Sequence, residues 1–221
     1  MSTCMFALHY FFENKGTFEG FLTNVAECTK LGGYFVGCCY DGKLIFDALR
    51  DKALGESCCI LKQGGEKIWE LVKDYSQTEF PDDASSLGYA INVYQDSINN
   101  FFKEYLVNFD LLVRAMENYG FKLIAPDEAA DFGLAGGLVS FKDMFEKAQV
   151  AAKRDRRYAK QIGQALKMTP DEKYISFFNK YFVFKKVANV DTTKVTLEAR
   201  HNAADEAVAA AAVAPEAEAE V

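Results

Sequence analysis

The sequence predicts an α/β fold, and three observations point to it. Short apolar runs that suit buried strands alternate with helical segments over the first fifty residues. These runs lack polar alternation, as is typical of parallel strands that helices cover on both faces. The chain has 221 residues with 50% hydrophobic and 26% charged residues, which is an ordinary globular composition and excludes wholesale disorder.

The first four elements are predicted as strand, helix, strand and helix. The apolar run Thr3–Phe12 is short enough for a buried strand. Apolar residues at helical spacing follow it, with Thr17 as a suitable N-cap and a Gly-Gly pair at the end. Tyr34–Cys39 is a second buried strand, and a Tyr-Asp-Gly turn leads into a helix over Lys43–Lys52. This succession is typical of βαβ units.

The middle of the chain breaks this pattern and predicts an antiparallel β insert. Its strands are expected at Cys58–Lys62, Ile68–Tyr75 and Gly88–Tyr94, joined by glycine-rich or polar loops. After the insert we expect a helix, a strand, a helix and a last strand, in the order Glu104–Tyr119, Phe121–Ala125, Ser140–Ala148 and Tyr181–Val187.

Apolar periodicity ends near residue 189, so we divide the chain into a domain at 1–188 and a linker with a disordered acidic tail at 189–221. Residues 198–221 carry −5 of the net charge of −7. Their Ala- and Glu-rich composition cannot bury enough apolar surface to offset the entropy of ordering. Residues 142–167, by contrast, contain eight Lys/Arg against three acids. That stretch suits a phosphate-bearing partner, or is an ordinary solvated helix face.

Composition excludes several classes of protein. No stretch approaches about 18 uncharged apolar residues, which excludes a membrane span. The N-terminus lacks the basic and small-residue features of a signal peptide. Six cysteines without C-x-x-C spacing and only two histidines predict no metal site and a reducing compartment. We therefore expect a cytoplasmic protein that is neither secreted nor bound to a membrane.

The chain lacks the usual opening of a nucleotide-binding α/β domain. Such a domain begins with a strand, a glycine-rich turn and an acidic residue about 20 positions later. The late Gly133-x-x-Gly136-Gly137 follows no clear strand and is interpreted as a loop. We therefore expect an N-terminally incomplete sheet, in which the strand at 3–12 pairs with Tyr34–Cys39 and exposes its other edge.

Four motifs carry a resemblance to a known family. They are Phe6-Ala-Leu-His9-Tyr10-Phe-Phe-Glu-Asn14, Lys30-Leu-Gly-Gly-Tyr-Phe-Val-Gly37, Glu104-Tyr-Leu-Val-Asn-Phe109 and Lys180-Tyr-Phe-Val-Phe184. Together they resemble the mRNA cap guanine-N7 methyltransferases over residues 2–187, and Cys39-Tyr-Asp-Gly42 is similar to the versions in large DNA viruses. The resemblance implies the C-terminal portion of a class I, Rossmann-like S-adenosylmethionine-dependent methyltransferase sheet, with the cofactor loop upstream.

The resemblance also implies an activity, a cofactor and partners. The reaction would transfer a methyl group from S-adenosylmethionine to N7 of the cap guanosine. It needs no base and no metal, because the N7 lone pair attacks the sulfonium methyl in line. The implied partners are the capped 5′ end of mRNA, not DNA, and an N-terminal half or a capping-enzyme subunit. The alternative is a non-catalytic stimulatory subunit of a viral capping enzyme. A viral protein would be located in the host cytoplasm, a viral factory or the virion.

Matching motif positions assign the candidate site residues. The resemblance assigns cap binding to His9, Tyr10, Glu104, Tyr181 and Tyr40, and it assigns cofactor contacts to Met5 and Tyr10. Glu104 would accept the N1–H and 2-amino hydrogens of guanine. From pattern alone, His9 is also explained as a buried core histidine, Glu104 as a first-turn helix glutamate, and Tyr181 as a packing aromatic. Met5 replaces the family's usual glutamine, and Tyr40 stands where cellular members have Thr-Pro-Asn.

Overall fold

Two β-sheets and the helices packed on them form the fold. The computed structural model describes residues 1–62 and 64–199. The strands are β1 (Ser2–Met5), β2 (Tyr34–Tyr40), β3 (Ser57–Leu61), β4 (Lys67–Asp74), β5 (Ala90–Gln95), β6 (Asn100–Tyr105), β7 (Phe121–Leu123), β8 (Leu138–Ser140) and β9 (Asn179–Lys186). The helices are α1 (Lys15–Cys28), α2 (Gly42–Ala48), α3 (Phe109–Asn118), α4 (Pro126–Asp131), α5 (Phe141–Arg154), α6 (Arg156–Ile162) and α7 (Pro170–Ser176), with 3₁₀ segments at Leu8–Phe12, Ala84–Ser86 and Gly163–Lys167. A further helical segment covers 192–199. Within the described residues, no helix has the length and apolarity to cross a membrane.

The first sheet has the order β1-β2-β9-β7, with β8 also paired to β9. β1 and β2 are parallel, whereas β9 runs antiparallel to β2, β7 and β8. The predicted α/β class and the parallel pairing of the first two strands are confirmed. β1 lies at the edge of this sheet, and within residues 1–62 and 64–199 no strand pairs with its other side.

The second sheet is the predicted antiparallel insert, with the order β3-β4-β5-β6. Side chains of β4 alternate between buried and half-buried positions, as expected when one face of an antiparallel sheet packs on a core. Its inner face carries Trp69 and Leu71, which pack with Ile45 and Leu49 of the α2 region and with Phe178. The insert is therefore fixed to the first sheet through α2 and the residues before β9.

Aromatic side chains form the core of the first sheet. Phe35, Phe182 and Phe184 are almost completely buried and lie 5.0 to 6.4 Å apart between ring centroids. Apolar residues of α1 and α3, including Leu22 and Leu112, pack on them. Burial of such rings contributes the largest share of the apolar driving force, at about 25 cal/mol per Å².

The predicted strand over Thr3–Phe12 is wrong in its second half. β1 ends at Met5, Phe6 has a φ of 52°, and Leu8–Phe12 form a 3₁₀ turn. Leu8 and Phe12 are fully buried in that turn. An uninterrupted apolar run does not distinguish a strand from a turn packed in the core, and here Met5, Phe6 and Tyr10 of the run are exposed.

The predicted helix over Glu104–Tyr119 begins five residues too early. Residues 100–105 form β6, and α3 starts after Asn108, whose side chain accepts hydrogen bonds from the backbone N–H groups of Asp110 and Leu111. Similarly, Asn14 rather than Thr17 is the N-cap of α1, and Thr17 completes the capping box. In both cases an asparagine cap determines where the helix begins.

The segment after β9 is not wholly a linker. The Thr192 hydroxyl donates to Glu27 Oε1 at 2.9 Å, and the hydroxyls of Thr196 and Tyr119 lie 2.8 Å apart. Residues 192–199 are therefore a helix held against α1 and α3. The predicted tail from residue 200 onward lies outside the described residues, so its disorder remains a prediction.

We expect Gly37→Ala to destabilise the fold because β1, β2 and β9 approach each other too closely to admit a side chain. A Cβ at residue 37 would lie 2.0 Å from the Cys4 carbonyl oxygen and 2.4 Å from Phe182 Cζ. Overpacking of this kind costs about 1–3 kcal/mol or more. Urea denaturation measures the change in the free energy of unfolding.

The control is Gly20→Ala in α1, where a Cβ meets nothing within 4 Å. That substitution should stabilise the protein by up to about 1 kcal/mol, because alanine is the better helix former. Equal stability of the two variants would contradict the close packing at Gly37.

Candidate functional site

A cleft of about 1020 Å³ opens where the two sheets meet. It lies at the carboxyl ends of β1 and β2, the edge at which α/β sheets place their ligands. Phe6, His9 and Tyr10 contribute from the segment after β1, and Tyr40 from the end of β2. The insert and the start of α7 close the other sides, with Trp69, Gln95, Asp96, Glu104, Asp171 and Glu172 among the lining residues.

His9 and Glu104 join the segment after β1 to the insert within the cleft. His9 Nδ1 lies 3.5 Å from Glu104 Oε2, and the two side chains are only 7% and 13% exposed. Burial lowers the pKa of His9 to about 4 and raises the pKa of Glu104 to about 7. Because both shifts favour the uncharged form, His9 is neutral at pH 7 while Glu104 is only partly ionised.

Glu104 does not sit in the first turn of a helix, so the simple explanation by the helix dipole is wrong. It lies on β6, opposite Ile91 of β5. Burying a partly ionised carboxylate on the wall of a cleft destabilises the fold, whereas an apolar side chain would pack there without that cost. Strongly shifted carboxyl groups of this kind cluster at functional sites.

Tyr40 forms part of the floor of the cleft with its hydroxyl oriented by the insert. Its oxygen accepts hydrogen bonds from Trp69 Nε1 at 3.2 Å and from Gln95 Nε2 at 3.3 Å. Burial raises the pKa of Tyr40 to about 12, so the phenol keeps its proton at neutral pH. Since both contacts use the oxygen as acceptor, the hydroxyl hydrogen is free to donate to a ligand.

Two exposed aromatic rings stand at the mouth of the cleft. Tyr10 is 47% exposed and contacts the His9 ring edge-on, with centroids 4.2 Å apart. Phe6 is 57% exposed, although its backbone has the positive φ that bulky residues avoid. Its N–H donates to the Cys38 carbonyl at 2.7 Å. Strained residues of this kind collect at ligand sites, so we add Phe6 to the candidate residues.

Two of the predicted residues lie outside the cleft as the structure describes it. Met5 is 58% exposed at the end of β1 but is not among the lining residues. The Tyr181 hydroxyl accepts from the Ala135 N–H and donates to the Gly136 carbonyl, both at 3.3 Å. Its ring packs with Ile124. Their assigned roles remain predictions, and the structure gathers only His9, Tyr10, Tyr40 and Glu104.

The cleft is acidic. Besides Glu104 it contains Asp96, Asp171 and Glu172, whereas its cation Lys62 is paired with Asp96 and Glu66 at 3.1 and 3.2 Å. This charge favours a ligand that presents hydrogen-bond donors or positive charge and disfavours bound phosphate. Within the described residues no cluster of three or more His, Cys, Asp or Glu side chains is placed to hold a metal.

Comparison with known proteins decides the family. A family model described as the mRNA (guanine-N(7))-methyltransferase domain matches residues 1–187. The chain belongs to this family. Membership confirms the class I methyltransferase fold expected from the motifs, and the cofactor of the family is S-adenosylmethionine.

Two curated relatives are consistent with this membership. The chain is 26% identical over 212 residues to a probable mRNA-capping enzyme of Acanthamoeba polyphaga mimivirus, covering 86% of this chain and 17% of that protein. It is 28% identical over 130 residues to an mRNA cap guanine-N(7) methyltransferase of Drosophila melanogaster, covering 59% of this chain and 28% of that protein. The chain therefore spans less than a third of either relative. The mimivirus similarity is consistent with the expected large-DNA-virus type.

A solved structure of a putative S-adenosylmethionine-dependent methyltransferase from Listeria monocytogenes is also similar. It matches with 11% identity and a TM-score of 0.40, and the match covers 83% of this chain and 60% of that one.

We expect Glu104→Gln to stabilise the methyltransferase chain at alkaline pH. The folded pKa of about 7 lies above the usual 4.5, so the wild type loses stability as pH rises from 4.5 through 7. The loss amounts to about 3 kcal/mol at 1.36 kcal/mol per pKa unit. Glutamine does not ionise, so the variant does not undergo this loss. The stability difference between variant and wild type should therefore grow between pH 5 and pH 8.5.

Chemical denaturation at the two pH values measures that difference. Glu117→Gln, at an exposed position on α3, is the control and should show a difference that does not change with pH. A pH-independent difference for Glu104→Gln would show that the Glu104 carboxyl titrates normally.

Proposed function

We propose that this chain forms the guanine-binding part of an enzyme that methylates N7 of the mRNA cap guanosine. The observation that carries the proposal is the meeting of Glu104, His9 and Tyr10 in one acidic cleft at the carboxyl edge of the sheet. Two motifs that are far apart in the sequence thereby meet at one proposed binding surface.

Glu104 would recognise the base edge. A carboxylate presents two coplanar acceptors, which match the N1–H and 2-amino donors of guanine. Its partial burial makes each of these charge-assisted bonds stronger than in water. The neutral His9 ring, 3.5 Å away, would hold the carboxylate in place without neutralising it. We therefore treat Glu104 as the binding residue and His9 as the positioning residue.

Aromatic groups and one hydroxyl would complete the base pocket. The exposed rings of Tyr10 and Phe6 offer flat faces for stacking on a purine. The free hydroxyl hydrogen of Tyr40 suits the O6 acceptor, which lies on the same edge of guanine as N1–H. Together these groups distinguish guanine from adenine, because adenine presents neither the N1–H donor nor the O6 acceptor.

The acidic lining would favour the methyl transfer itself. S-adenosylmethionine supplies the methyl group that becomes bonded to N7, and positive charge then develops on the guanine ring. Glu104 at the base edge and Asp171 in the lining of the cleft would stabilise that charge. The residues of this chain thus contribute orientation and electrostatics, and none has to move a proton.

The described residues fit the cofactor in part. Phe6 and Tyr10 provide exposed aromatic faces beside the carboxyl end of β1, where a methyl donor would have to lie. The unpaired edge of β1 suits a further strand that would bring the remaining cofactor contacts. We propose that an N-terminal segment or a capping-enzyme subunit supplies it. A purely stimulatory role is not favoured, because the family match covers residues 1–187.

We expect Glu104→Gln to weaken binding of a cap analogue at least ~10-fold at pH 8, because a charge-assisted hydrogen bond contributes about 1.5–3 kcal/mol. The amide also places a donor against the donors of the base. Calorimetric titration with GpppG measures the affinity, and Glu117→Gln should bind as the wild type does.

The wild type should also show a pH dependence of its own. With a pKa of about 7 for Glu104, the ionised fraction rises roughly tenfold between pH 6 and pH 8, so affinity should rise by a similar factor. Full affinity of Glu104→Gln together with a flat pH profile would refute the assignment.

We expect the chain alone to bind S-adenosylmethionine too weakly for calorimetry and to self-associate through the open edge of β1. Co-expression with the segment that precedes the matched region in the mimivirus relative should yield a monodisperse complex that binds the cofactor. Saturable micromolar binding by a monomer of this chain alone would contradict the need for a partner strand.

A further inference from the structure

We propose that the solvent faces of α5 and α6 bind the RNA chain that follows the cap, through its phosphates and without sequence preference. This inference rests on the proposed binding of the cap in the cleft. Eight exposed cations carry it: Lys167 of the 3₁₀ segment after α6, and seven on the two helices, which are Lys142, Lys147, Lys153, Arg154, Arg156, Arg157 and Lys160.

These cations are not neutralised by the protein. In the described part of the chain, none of the eight forms an ion pair, whereas lysines elsewhere, such as Lys43, Lys103 and Lys185, are paired with carboxylates. A chain with a net charge of −7 thus carries eight exposed cations without ion pairs along α5, α6 and the 3₁₀ segment that follows. Such a patch is the electrostatic footprint of a polyanion site.

Two of the three acids at 142–167 are engaged with the helix ends instead, and the third, Glu146, is exposed on α5. Asp143 accepts a hydrogen bond from the hydroxyl of Ser140 at 2.7 Å. Asp155 caps α6 by accepting from the backbone N–H groups of Arg157 and Tyr158 at 2.7 and 3.3 Å. Neither carboxylate forms an ion pair with these cations, so the positive surface remains available.

The basic surface begins beside the cleft. The ring of Phe141, the first residue of α5, contacts the Phe6 ring edge-on, with centroids 6.4 Å apart. From Lys142 the exposed positions of α5 continue through Lys147 to Lys153 and Arg154, along a helix of 14 residues and so about 21 Å. A polynucleotide attached to a base in the cleft would pass along this surface.

Charge and apolarity together favour RNA over an acidic protein. The cleft itself is acidic, so the phosphates that follow the cap would be repelled from it and attracted to α5. A stable protein interface needs a buried apolar anchor. On 142–167, Val150 is the one large hydrophobic side chain that the structure describes as exposed, and neither helix has a buried residue.

The test measures binding of an uncapped, 5′-hydroxyl single-stranded RNA of about 15 nucleotides by fluorescence anisotropy at several salt concentrations. The test variant carries Lys147→Gln, Lys153→Gln and Arg154→Gln. The control carries Lys30→Gln, Arg114→Gln and Lys122→Gln, three exposed cations outside the basic surface. Both variants change the net charge equally. Any difference in RNA affinity between them therefore depends on where the cations lie.

The test variant should bind this RNA at least ~10-fold more weakly at low salt, and its log–log salt slope should fall by about 2, since each lost phosphate contact removes about 0.7. The control should keep the wild-type slope. Both variants should bind GpppG as the wild type does, because the cleft is unchanged.

Equal RNA affinity and equal slope in the two variants would overturn the inference. So would unchanged RNA binding combined with loss of binding to a polyglutamate peptide, since the surface would then serve an acidic protein. If RNA binding depends on the three cations while neither the wild type nor either variant binds GpppG, the phosphate-binding surface is supported and the cap assignment fails.

Discussion

The cleft depends on the contact of His9 with Glu104 at 3.5 Å, which joins the segment after β1 to the insert beside the hydrogen bonds of Tyr40 with Trp69 and Gln95. His9 follows the first parallel strand, and Glu104 belongs to the edge strand of the insert. This contact and the Tyr40 hydrogen bonds hold the insert beside the carboxyl ends of β1 and β2, where it forms one side of the cleft. The contact is buried and weakly charged, because desolvation opposes both ionised forms. Its geometry therefore rests on the packing of the sheets rather than on Coulomb attraction.

Negative and positive charges lie on different surfaces of the molecule, and each surface suits a different ligand. The cleft carries carboxylates that suit the donors of a base and the positive charge of its methylated product. The adjoining helices carry unpaired cations that suit phosphates. A net charge of −7 conceals this division, because most of the acidic excess lies at 198–221. Position, more than total charge, determines which part of a capped transcript each surface would bind.

The motifs of the sequence predicted the α/β class, the insert and four residues of the cleft. His9 and Tyr40 follow or end strands whose apolar runs are easy to see, whereas Glu104 is identified by its motif alone. The strand carrying Glu104 was missed, since the asparagine cap at 108 outweighs helical periodicity before it. The position of Tyr181 was also beyond prediction, because a strand's register decides which face each residue takes. The positive φ of Phe6 leaves no signal in composition or spacing.

Position 6 combines a left-handed backbone, which favours glycine, with an exposed aromatic ring, which glycine lacks. Its left-handed backbone costs on the order of 1–3 kcal/mol, and glycine would remove that cost together with the ring. A β-branched residue would keep the strain and lose the flat face. Another flat aromatic side chain would keep the stacking face and the strain together. The turn after the first strand thus gives up backbone stability to place an exposed ring at the mouth of the cleft.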